Sequence, residues 1–262
     1  MNRRCFLGSL GAVQAAGLVS TPLLSQQRGG LAADPFQPSE DVTNPMGVGR
    51  GIHPGRVVWV RDAKATRWDG ATGHWWDDAN TDQRVVHQMS SRLLQNLSGR
   101  TNGKQAWDEL FRSFNESHNG GGSGYRPGER IAIKLNCNQD RSAQWGGAGP
   151  NGLPSPQAVT SLVTHLIEAA AVRGEDILIY DVTGIRNVGQ PIFNGIRADS
   201  NPQFQAVKFL AGADYELGGR MSAAPDLANP IRFSEAGIPT GYLSRQVTEA
   251  KYMINMALLR PH

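Results

Sequence analysis

Lys134, Asp181 and His262 are the candidate catalytic groups of this sequence, with Asp62, Asn136 and Asn138 as candidate ligand-binding groups. Each falls at or just beyond the end of an apolar run that reads as a strand. In open parallel sheets ligands sit beyond the carboxyl ends of strands, so residues at such ends share a crevice. An ammonium, carboxylates, amides and an imidazole gathered there would suit an oxygen-ligated divalent metal, or an anionic substrate held by Lys134. The plainer reading is that polar residues end strands anyway, with Asp181 and the asparagines satisfying backbone donors in turns.

A second constellation has metal-ligand residue types within five positions: His74, Asp77 and Asp78, beside Trp75 and Trp76. It reads as a metal site shielded from water, as a lid whose tryptophans stack on a ligand, or as an ordinary surface loop. Cys137 is a candidate nucleophile or a quiet buried thiol. Lys134, three positions earlier, would point to the opposite face of a strand and so would not activate it. His53, His87, His118 and His165 read as surface residues. No glycine fingerprint opens a helix after a strand, and no phosphate-binding loop, nucleophile elbow or HExxH helix is present.

The elements that must position these residues follow from periodicity. Arg56–Arg61 (RVVWVR) reads as a first strand ending at Asp62. Val85, Val86, Met89, Leu93 and Leu97 recur at helical spacing before Gly99, and Trp107, Leu110, Phe111 and Phe114 mark one face of a second helix. Ile131–Leu135 is a strand. A polar, glycine-rich loop follows, and Ser155-Pro156 opens a helix with an apolar stripe from Val159 to Ala170, closed by Gly174. Ile177–Tyr180 is then a buried strand ending at Asp181. Strand, helix and strand at this spacing predict parallel pairing with a right-handed crossover. Ala206–Leu210 and Tyr252–Leu259 are further strands, with 218–241 read as loop-rich. The fold class expected is α/β: a mostly parallel sheet with flanking helices. Because the chain stops directly on an apolar strand, it also reads as an incomplete domain or truncated reading frame.

The first thirty-three residues differ from the rest. Arg3-Arg4 before Phe6-Leu7, a mildly apolar stretch and Leu31-Ala32-Ala33 read as a twin-arginine signal peptide over 1–33, with an uncleaved membrane anchor as the alternative. Residues 34–55 read as a linker and 56–262 as the domain. The formal charge of +3 comes from 26 basic and 23 acidic residues. The leader holds Arg3, Arg4 and Arg28 and no acid, so the remainder has 23 of each. The basic balance therefore gives no argument for a nucleic-acid partner. Removal of Cys5 with the leader leaves Cys137 alone, which excludes an internal disulfide and a cysteine-ligated iron–sulfur cluster.

The order of Lys134-x-Asn136, the Pro154-Ser155-Pro156 helix start, the strand ending at Asp181 and the apolar run before Arg260-Pro261-His262 resembles the family called domain of unknown function 362. The resemblance covers Gly128 to His262. It implies that Lys134, Asn136, Asp181 and His262 occupy the family's motif positions, although Arg260 and Pro261 depart from the usual lysine and threonine. It also implies that a longer domain would continue past His262.

These readings converge on an exported, periplasmic α/β protein, carried by the twin-arginine translocase, with a metal-dependent or anionic-ligand site for a small molecule at the strand ends. It would be an enzyme of unassigned reaction. The rivals are a non-catalytic extracytoplasmic binding module and a fragment without activity of its own.

Overall fold

The computed structural model describes residues 48–137, 154–181, 190–211 and 219–257. In chain order they form α1 (Gln83–Ser98), α2 (Gly103–Ser117), β1 (Ile131–Leu135), α3 (Pro156–Thr164), β2 (Ile177–Tyr180), α4 (Gln190–Arg197), α5 (Pro202–Ala206), β3 (Lys208–Ala211), β4 (Met221–Ser222), β5 (Pro225–Ile231), β6 (Gly241–Ser244), α6 (Arg245–Thr248) and β7 (Tyr252–Met256).

Five strands pair in the order β4-β3-β2-β1-β7, and every pairing is parallel. The fold is α/β, as the strand–helix–strand spacing requires. β1 (IAIKL) and β2 (ILIY) are built mainly of apolar residues, with isoleucine at alternate positions, which suits a sheet covered on its faces. Ile131, Ile133 and Leu135 of β1 and Ile177 and Ile179 of β2 share a core with Val159, Val163 and Leu166 of the α3 region, Ile192 and Ile196 of α4, and Trp107 and Phe111 of α2. Helices α2, α3 and α4 therefore lie on one face of the sheet.

Polar caps set where the helices begin. Asp82 accepts from the Val85 N–H, Asn102 from Gln105 and Ser155 from Ala158, each satisfying an amide left over in a first helical turn. Gly99 ends α1 in the left-handed conformation at φ 71°, as expected. The end of α3 differs from expectation. The helix widens into a π turn at His165–Ala169, and Ala171, at φ 55°, makes the left-handed reversal. Gly174 instead opens the short turn before β2. Its own role is close approach: a Cβ there would lie 1.7 Å from the Gln203 carbonyl oxygen.

One further expectation is corrected. Arg56–Arg61 forms no strand; Val57 and Trp59 are 86% and 80% exposed, so its alternation faces water rather than a sheet. The loop-rich 218–241 segment also contains short strands. It holds β4 and β5, and β5 pairs antiparallel with β6 across an irregularity between Pro225 and Pro230. Asp226 joins this hairpin to α6 by accepting from the Thr248 hydroxyl at 2.6 Å. The connection from β4 to β7 passes over the second face, where Gln246 of α6 lines one depression with Leu178, Lys208 and Met221. A right-handed crossover running back along the sheet must take that face.

Candidate functional site

β1 and β2 are adjacent and parallel, with Lys134 opposite Tyr180, so Lys134 and Asp181 leave the sheet at the same rim. They do not share a face. Side chains alternate along a strand; Ile133 and Leu135 join the helix-side core, as does Ile179. Lys134 therefore lies on the second face and Asp181 on the helix side. Asp181 is 1% exposed, and its Oδ2 accepts from the Cys137 N–H at 2.5 Å. This bond fixes the direction in which the chain leaves β1. Cys137 is likewise buried.

The sheet order supplies what the sequence did not reveal. β2, β3 and β4 lie to one side of β1, and β7 lies to the other. Such a reversal of strand order marks the crevice where open α/β sheets bind ligands. Across it, Lys134 pairs in register with Asn255. Asn255, Lys134 and Tyr180 therefore form one row on the second face, and each carries a hydrogen-bond donor. The Tyr180 hydroxyl lies 3.7 Å from Met253 Sδ, a weak acceptor. Burial, then the Asp181 charge, push the Tyr180 pKa up, which keeps its proton in place. Asn136, half-buried, follows one residue beyond β1. Asn255 escaped sequence reasoning because it stands as one polar residue inside an apolar run. Its signal was the alternation of that run once parallel pairing was assumed.

The other candidates lie elsewhere. Asp62 does not end a strand. It caps the 3₁₀ turn Ala63–Ala65 through the Lys64 N–H and pairs with Arg92 at 3.7 Å. Asn138 and His262 lie outside the described residues. His74 and Asp77 meet at 3.5 Å, and Asp77 also accepts from the His74 N–H at 2.7 Å. Asp78 turns instead to the Gln157 amide at 3.4 Å. Among the described residues no three His, Cys, Asp or Glu side chains are grouped to hold a metal.

The loop around those residues has a structural purpose. Gln157, in the first turn of α3 and 4% exposed, donates to the Trp76 carbonyl at 2.6 Å. The loop is thereby seated at the amino end of α3, which is the rim end of the sheet. Trp76 is buried, stacked on His74 with centroids 4.5 Å apart and met edge-on by Trp75 at 5.3 Å. These rings pack on one another.

Sequence reasoning also placed His87 and His165 on the surface, and His165 is 5% exposed. The two imidazoles stack with centroids 4.3 Å apart, and His165 Nε2 lies 3.1 Å from the Ser91 hydroxyl. Burial, then the neighbouring His87, hold the His165 pKa down. The pair cements α1 to α3. Comparison with protein-family models, curated proteins and solved structures returned no match.

Proposed function

We propose that this chain is an exported α/β protein that holds an anionic small molecule at the carboxyl crevice between β1 and β7. Lys134 supplies the charge, and Asn255 and Tyr180 supply flanking donors. The observation that carries the reading is the reversal of strand order at β1 with Lys134 and Asn255 in register across it. Asp181 acts as a positioning residue through the Cys137 N–H. A metal-dependent form of the site draws less support, because the described carboxylates are engaged in separate local bonds. The motif order resembling domain of unknown function 362 supports the same rim, since Lys134, Asn136 and Asp181 stand on its strand ends. Arg3-Arg4 and the small residues before Asp34 support export. Among the described residues no helix is long and apolar enough to cross a membrane.

The test is a melting series of the protein in inorganic phosphate, pyrophosphate and citrate, repeated with Lys134→Gln. A ligand present at about a hundred times its Kd adds about 2.7 kcal/mol, or roughly 5–10 °C for a domain of this size. At least one anion should raise the wild-type midpoint, and the substitution should remove most of that rise. No rise in any of the three, or an equal rise in both proteins, contradicts the reading.

A further inference from the structure

We propose a second binding site, for a small aromatic carboxylate, in the cleft between α2 and the alanine run that follows α3. The cleft has a volume of about 480 Å³, within the roughly 300–1,000 Å³ of small-molecule sites. It lies beside the segments that lead into β1 and β2, so it is separate from the rim site and does not rest on it.

Its floor is aromatic and held still. Phe111 packs against Tyr252 at 4.8 Å and Tyr125 at 5.8 Å between centroids. The Tyr125 hydroxyl donates to Asp176 at 2.6 Å and accepts from the Arg173 N–H at 3.2 Å. Rings fixed before a ligand arrives lose little freedom on binding it. The wall is Ala169, Ala170 and Ala171, whose methyl groups leave room for a flat ring that longer side chains would fill.

Charge at the mouth selects the ligand. Asp108 on the lip is engaged by Arg112 Nε at 2.7 Å. Lys104, also on the lip, forms no ion pair among the described residues. From the lip Lys104 can receive a carboxylate while the ring lies against the partly exposed Tyr125 and the alanines, over the buried edge of Phe111.

The backbone of the wall is also unusual. The π turn at His165–Ala169 and the left-handed Ala171 both border the cleft. Widened turns and strained non-glycine residues recur at ligand sites. Here they set the three alanines against the start of α2, where a Cβ on Gly103 would come within 3.1 Å of Ala169 Cβ.

The experiment is calorimetric and ligand-observed NMR titration of the full chain with benzoate, with benzyl alcohol as the uncharged analogue. Wild type should bind benzoate saturably. Lys104→Gln should weaken benzoate about two- to fivefold, the worth of an exposed charge pair, and leave benzyl alcohol unchanged. Ala170→Leu should remove both at an unchanged circular dichroism spectrum; should that variant unfold, the Lys104→Gln comparison still decides. Benzoate should still bind Lys134→Gln, in which the rim site is disabled, with the same dependence on Lys104. No saturable binding by wild type, equal affinity in Lys104→Gln, or loss of benzoate binding in Lys134→Gln would each overturn the proposal.

Discussion

Replacing Asp176 by asparagine removes a charge and almost no volume, and the surroundings set its cost. Asp176 stands just before β2 and is 6% exposed. Its Oδ2 accepts from the Tyr125 hydroxyl at 2.6 Å, the Gly128 N–H at 2.8 Å and Arg173 Nε at 2.9 Å. Burial alone would push the carboxyl pKa up. The bonds from Arg173, Tyr125 and Gly128 outweigh it and hold the group below the usual carboxylate range. The Arg173 side chain is 43% exposed, so that pair adds little. The other two are donated to a charged acceptor away from water, at about 1.5–3 kcal/mol each. Asparagine can keep its carbonyl oxygen where Oδ2 stands, but these bonds then run to a neutral acceptor, and its N–H groups face Arg173 Nη2, which donates to Oδ1 at 3.3 Å in the native protein. The expected loss is about 3 kcal/mol, or roughly 6–12 °C in melting temperature. A carboxylate with a lowered folded pKa stabilises above its unfolded value, and that stability is lost as pH falls through the folded pKa. Urea midpoints of wild type and Asp176→Asn should therefore differ fully at about pH 7 and converge below about pH 4. A difference under about 0.5 kcal/mol at neutral pH, or one that stays constant into acid, would refute the reasoning.

Three further outcomes are expected. His165 has a lowered folded pKa, so its contribution is full above the unfolded value of about 6.5 and is lost as pH falls through the folded one; melting of His165→Gln should depend less on pH in that window than wild type, and an unchanged slope would contradict the burial argument. Gly174→Ala places a Cβ 1.7 Å from the Gln203 carbonyl oxygen and should cost more than about 3 kcal/mol, read as loss of folded protein by circular dichroism. Ala171→Gly relieves a left-handed alanine at φ 55° and should gain about 0.5–1 kcal/mol net of the added freedom of the unfolded chain, measured by urea melts.

What the sequence made legible was local. The βαβ unit from Ile131 to Asp181 was readable because an apolar strand, a capped helix with a stripe and a second apolar strand leave one sensible pairing. The helices around Val85 and Trp107 were readable for the same reason. Arg56–Arg61 has strand-like alternation, yet pairing depends on a partner edge that local pattern does not contain. The β5–β6 hairpin was hidden by Pro225 and Pro230, which argue against a regular strand. The reversal at β1 is a property of strand order, set by residues more than a hundred positions apart, and it is what brings Asn255 to Lys134. His74, Asp77 and Asp78 were close in sequence, but nearness did not fix direction, and Gln157 draws Asp78 away. Lys134 and Asp181 were rightly placed on one rim; their opposite faces follow from alternation once the register is known.

The rim claim is tested most directly by hydrogen–deuterium exchange with and without pyrophosphate. Protection on binding should concentrate in peptides spanning Lys134–Cys137 and Tyr252–Met256, and should vanish in Lys134→Gln. Protection confined to other segments, or identical protection in the substituted protein, would contradict a ligand held between β1 and β7.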